Sequence, residues 1–167
     1  MAEAAVFTGA TAEELLDRYA DMVFRAAYAM VKNRQDAEDI AQEVFLTLIQ
    51  KAPAFESTEH QKAWLLRVTA NRCKSFFRSV WQSRTEGIAE DFPAAELSTE
   101  ESGVADAVNA LPPKYRQVVY LYYVEGYAAK EIAQILDTPQ NTVLSQLARA
   151  RGLLKKTLGG DFDDAQE

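Results

Sequence analysis

Cysteine, histidine and glycine are scarce in this sequence, and each scarcity excludes something. One cysteine, Cys73, and one histidine, His60, cannot make an internal disulfide or a metal cluster, so Cys73 reads as a core thiol. Seven glycines include no glycine-rich phosphate loop, and no nucleophile, base and carboxylate constellation can be assigned roles, which leaves an enzyme without a mechanism. No apolar run approaches the roughly 18 residues of a membrane span. The opening residues MAEAAVFTGA lack the charged-then-apolar form of a signal peptide. The expectation is a cytoplasmic protein with no catalytic site, no cofactor, no metal and no membrane insertion.

What is present is helical. Hydrophobic residues make up 48% of the chain, enough for folded cores, and most recur at steps of three and four rather than two. An all-α protein follows. The net charge of −7 argues against a simple DNA binder, so the distribution of charge matters more than its sum. Residues 11–82 carry ten basic and ten acidic side chains, residues 83–106 one and seven, and residues 107–158 seven and three. The C-terminal part is locally positive, as contact with nucleic acid requires.

Thr11 to Glu14 reads as a capping box opening a helix to about Lys32, with Leu15, Tyr19, Met22, Val23, Ala26 and Met30 on its buried face. A second helix, from about Arg34 to Ala52, buries Ala37, Ile40, Ala41, Val44 and Leu48 and is stopped by Pro53. Its other side gathers Asp36, Asp39, Glu43 and Gln50, with Leu46 and Ile49 among them. That side is either a solvated acidic face or a docking face for another protein. After a polar loop, PAFESTEHQ (53–61), a long helix from about Lys62 to Gln82 carries Leu65, Val68, Thr69, Cys73, Phe76 and Val80 on one arc. The opposite arc has Arg67, Asn71, Lys74 and Arg78, flanked by Trp64 and Trp81. Such a stripe can hold a phosphate backbone and stack on unpaired bases, or it is a wet face around a core tryptophan.

Residues 83–103 are acidic and lack apolar periodicity, which predicts a flexible, self-repelling linker between two small helical domains, 1–82 and 104–158, with an acidic tail at 159–167. The second domain begins with a short helix carrying Val104, Ala107, Val108 and Leu111, broken by Pro112-Pro113. A helix from Lys114 to Glu125 follows, closed by Gly126 as a left-handed cap. Residues 128–156 then place two apolar stripes, Ile132 and Leu136, then Val143, Leu147, Ala150 and Leu154, on either side of Asp137-Thr138-Pro139. Thr138 as cap and Pro139 at the first helical position complete a helix-turn-helix. Its second helix turns Asn141, Ser145, Ala148, Arg149 and Lys156 away from the core.

Three segments in order, DAEDIAQEVFLTL (36–48), KAWLLRVTANRCKSFFR (62–78) and residues 110–156, resemble the bacterial sigma factors of the extracytoplasmic-function (ECF) group. The resemblance implies a promoter-specificity subunit that directs transcription initiation, with RNA polymerase core, promoter DNA and an anti-sigma factor as partners. It implies that Asp39, Gln42, Glu43 and Leu46 dock on the polymerase clamp helices. Trp64, Arg67, Asn71, Lys74 and Arg78, with loop residues 54–61, would recognise the minus-ten element and hold its strand open. The second domain would sit on the polymerase flap and meet the minus-thirty-five element through Lys130, Asn141, Thr142, Leu144, Ser145, Ala148, Arg149 and Arg151. The chain departs from the family where Leu144 and Gln146 stand in place of basic residues, Asn141 in place of Gly and Ser75 in place of Asp, and Glu56 and Glu59 make the loop acidic. A sigma-like regulator that binds proteins and no longer reads promoters is the alternative these departures raise.

Overall fold

The computed structural model describes residues 11–85 and 103–158, which belong to two compact units divided near Pro93. Among the described residues every regular element is helical. The expected linker falls mostly on residues 86–102 and the acidic tail on 159–167, outside the described residues, as do the first ten residues. The linker's expected ends shift inward, because the long helix continues through Thr85 and Gly103 already begins the next.

The first unit is three helices, α1 (Ala12–Val31), α2 (Arg34–Lys51) and α3 (Thr58–Thr85), each packed on the other two. The Thr11 hydroxyl accepts from the Glu14 N–H at 3.0 Å and the Glu14 carboxylate accepts from the Thr11 N–H at 3.0 Å, closing the predicted capping box. Asn33 caps α2 by accepting from the Asp36 N–H at 2.9 Å. Leu15, Val23, Ala27, Val44, Leu48, Leu65 and Cys73 are fully enclosed. The predicted stripes meet there. Phe45 and Thr47 join the buried side of α2, whereas Ala41 is only half-buried.

The loop before α3 is shorter and better anchored than its polar composition suggests. The helix begins at Thr58, and Phe55 is buried with its ring edge-on to His60 and Trp64. Ser57 Oγ accepts from the His60 N–H at 3.0 Å, and His60 Nδ1 accepts from the Glu56 N–H at 3.1 Å, so the first turn is capped from both directions. Gln61, expected in the loop, is a core residue at 1% exposure. Its Oε1 accepts from the Tyr19 hydroxyl at 3.2 Å and from Arg18 Nη1 at 3.3 Å, tying α3 to α1.

The second unit is built on α7 (Gln140–Leu158), against which α4 (Gly103–Asn109), α5 (Pro113–Val119) and α6 (Ala129–Leu136) pack. Ala107, Leu111, Tyr115, Val119, Ala150 and Leu154 form one buried cluster, and Val118, Ile132, Val143 and Leu147 are likewise enclosed. Val104, expected on the buried face, is exposed. The helix expected to run to Glu125 changes pitch at Tyr120: residues Tyr120–Val124 form a π-helical turn in which the Glu125 N–H donates to the Tyr120 carbonyl. Gly126 then takes the predicted left-handed conformation, φ +81°.

The substitution Gln61→Ala strips the Tyr19 hydroxyl of its side-chain acceptor inside the core. It is expected to cost about 1–3 kcal/mol, read as a lower urea midpoint with an unchanged slope. An unchanged midpoint would show that the bond contributes nothing.

Candidate functional site: a docking face and two nucleic-acid faces

The outward side of α2 presents Asp39, Gln42 and Glu43 in solvent, together with Leu46 at 54% and Ile49 at 58% exposure. Leu46 and Ile49 line a mostly apolar groove of about 390 Å³ that continues over α1 through Leu16 and Ala20. Large aliphatic side chains beside a groove, edged by carboxylates, form a surface that water does not reward. Burial, and then the neighbouring Asp39 charge, hold the Asp36 carboxyl above the usual carboxylate range. The face therefore carries like charge in close quarters, which a cationic partner would relieve. Glu43 lies 4.0 Å from Arg72 of α3 with both groups well exposed, a contact too weak to commit either side chain. Arg72 also donates to the Thr47 hydroxyl at 2.9 Å.

Along α3, Arg67, Asn71, Lys74 and Arg78 are all exposed, on the side away from Leu65, Thr69 and Cys73. The basic stripe is thus a surface stripe. Trp64 is half-buried and packs edge-on to Phe55 at 5.7 Å between ring centroids. It is held by the core and open to a ligand at once, so the two readings of Trp64 are not exclusive. The side chain of Trp81 lies outside the described residues.

In the second unit α6 and α7 form the helix-turn-helix. Asp137 takes the left-handed conformation, φ 55°, and the Thr138 N–H donates to the Ala133 carbonyl at 3.0 Å, which closes α6. Thr138 does not act as foreseen, since its hydroxyl donates back to the Leu136 carbonyl at 3.1 Å. The Pro139 carbonyl accepts from Val143, so α7 begins one residue later, at Gln140. At the start of α6 the Ala128 N–H donates to Glu131 at 2.8 Å, half of a capping box that an alanine cannot complete.

Asn141, Thr142, Leu144, Ser145, Ala148 and Arg149 are exposed on α7, and Lys130 is exposed on α6. Arg151 is not. At 8% exposure it belongs to the inner side, where its Nε donates to the Tyr123 hydroxyl at 3.0 Å and its guanidinium lies 5.7 Å from the centre of the Tyr122 ring. Its place four residues after Leu147 puts it at the edge of the buried stripe, and the two tyrosines of the π-helical turn draw it in. It is a packing residue and is withdrawn from the set of phosphate partners. Lys114, which sequence reasoning left aside, lines a cleft with Asn141, Thr142, Ser145 and Arg149, its ammonium 5.4 Å from the Tyr115 ring centre. A cation directly after Pro112-Pro113 was the available signal.

Comparison with known proteins gives these faces a context. Residues 15–83 match the family described as Sigma-70 region 2, and residues 103–154 match Sigma-70, region 4. The chain is 31% identical over 157 residues to the ECF RNA polymerase sigma factor SigE of Mycolicibacterium smegmatis, covering 87% of this chain and 61% of that protein. It is 29% identical over 166 residues to the ECF RNA polymerase sigma factor SigW of Bacillus subtilis, covering 87% of each. This chain therefore spans about three fifths of the one relative and most of the other. Among solved structures, the sigma factor RpoE of Bartonella quintana, in complex with the anti-sigma factor NepR, superposes with a TM-score of 0.72 at 22% identity, over 89% of this chain and 97% of that one. That likeness concerns the fold.

Two neighbouring arginines should separate by burial. Arg151→Ala removes a buried cation and its partners and is expected to cost about 1–3 kcal/mol, whereas Arg149→Ala should stay within about 0.5 kcal/mol of wild type. Chemical denaturation of the full chain compares them, and equal stabilities would contradict the inward placement of Arg151.

Proposed function

Because this chain belongs to the ECF sigma factors of the sigma-70 family, we propose that it binds RNA polymerase core and directs it to a specific class of promoters. The observation that carries this reading is the α2 face, where Asp39, Gln42, Glu43 and Leu46 stand exposed beside an apolar groove. Carboxylates around an aliphatic centre suit a partner surface that offers cationic and apolar side chains, the part assigned here to the polymerase clamp helices.

The exposed stripe Arg67, Asn71, Lys74 and Arg78, together with the anchored Trp64 and residues 54–61, a short loop and the first turn of α3, is assigned to the minus-ten element. Opening the duplex there requires no nucleotide hydrolysis. Unstacking costs about a few kcal/mol per base, and capture of the base with contacts along the backbone offsets it. The helix-turn-helix is assigned to the minus-thirty-five element through Asn141, Thr142, Leu144, Ser145, Ala148 and Arg149, with Lys130 and Lys114 toward the phosphates. Each cation on that surface contributes counterion release, and few are present. The isolated second unit should therefore bind DNA weakly, with polymerase presenting it to the promoter. An anti-sigma factor is a further expected partner, in line with the NepR complex of the Bartonella protein. The chain acts without catalysis of its own.

A regulator that binds proteins and no longer reads promoters is the competing reading, motivated by Leu144 and Gln146 on the recognition helix. Run-off transcription separates the two, because such a regulator would bind core without initiating from any promoter.

Two outcomes test the assignments. Asp39→Lys should weaken core binding about tenfold, mainly through slower association, with the fold intact. Equal co-purification of mutant and wild type with core would remove α2 from the interface. The free second unit should show no nanomolar affinity for promoter DNA at physiological salt by gel shift, and a nanomolar complex would overturn the dependence on polymerase.

A further inference from the structure

The face that α7 turns to solvent has an uncharged centre. Asn141, Leu144, Ser145 and Ala148 follow one another at i, i+3, i+4 and i+7, all are exposed, and Leu144 keeps 40% of its surface in water. The cations stand at the edges. Arg149 shares its cleft with Lys114 on one side, and Lys155 and Lys156 lie one to two turns further along. Building on the promoter-reading assignment above, we infer that this helix reads A·T pairs, with Leu144 packed against a thymine methyl group of the upstream element.

The chemistry of the major groove leaves little else for Leu144 to touch. Guanine offers two acceptors and cytosine an amino group, which suit guanidinium, ammonium or carboxylate and leave a leucine with desolvated polar edges. Thymine alone presents a methyl group. Ala148, one turn beyond Leu144, extends the apolar strip, and the Asn141 amide, one turn before it, has the donor and acceptor pair that fits adenine N7 and N6. Edge cations that meet phosphates fix register without selecting sequence, so discrimination falls to this uncharged centre.

The test uses the full chain assembled with bacterial RNA polymerase core. Promoters selected from a library randomised across the upstream element are transcribed with each thymine in turn replaced by deoxyuridine, which deletes one methyl group and nothing else. Initiation should fall about fourfold at one position, the size of one methyl leaving an apolar contact. With Leu144→Ala that position should lose its sensitivity to uracil, and with Leu144→Lys selection should move from thymine toward guanine. The inference is overturned if no thymine is sensitive in the wild type, if Leu144→Ala retains the same sensitivity, or if selection returns G·C pairs across the element. Initiation that depends on the upstream element without sensitivity to uracil overturns this inference alone. Initiation indifferent to the element overturns the promoter-reading assignment with it.

Discussion

Burial of one apolar stripe of α7 is the constraint from which the second unit follows. Val143, Leu147, Ala150 and Leu154 are almost wholly enclosed, and three other helices are held in place by covering them. The residues on the opposite side are left to solvent, because these three helices cover only one side of α7. The exposed set Asn141, Leu144, Ser145 and Ala148 is thus a consequence of the core. Arg151 shows how sharp the division is: two residues beyond Arg149, it sits among tyrosines while Arg149 faces water.

The same logic governs the first unit with a different result. Its three helices enclose Leu15, Leu48 and Leu65 at their centre and still leave Leu16, Leu46 and Ile49 outside. Among the described residues no fourth element covers that second aliphatic strip. Carboxylates edge it, and partial burial, followed by the neighbouring Asp39 charge, holds Asp36 above the usual carboxylate range. An interface that is apolar at its centre and charged at its edge gives association both steering and grip.

Much of this was legible in the order of residues, because amphipathic periodicity reports burial directly. The capping box at Thr11, the inner residues of α1, the exposed basic arc of α3 and the stripe of α7 needed nothing beyond steps of three and four. What stayed hidden was polar and buried. Gln61 and Phe55 sit in a run that reads as loop, and the Tyr19 hydroxyl and Arg18, 42 and 43 residues away in sequence, explain why a glutamine belongs inside. The π-helical turn has no periodic signature, since it inserts one residue into a sequence of aromatic side chains whose spacing stays compatible with an ordinary helix. Thr138 missed the cap position by one residue: the helix begins at Gln140, with the Pro139 carbonyl accepting its first bonds, and the Thr138 hydroxyl donates to the Leu136 carbonyl instead.

The balance of charge explains why such a protein would work only in company. A chain of net charge −7 is repelled by DNA at a distance, and its basic residues are distributed over two surfaces rather than gathered on one. On the proposed assignment each surface alone would make too few phosphate contacts for the counterion release that drives tight binding. Joined to a partner that fixes both against one duplex, the second contact becomes intramolecular, and its effective concentration replaces the affinity that the cations do not supply. Weakness of each part then has a use. A free molecule that holds DNA poorly does not settle on the many non-specific sites of a genome, and under the proposed function sequence would be read only where docking has already placed the uncharged face of α7 against a groove.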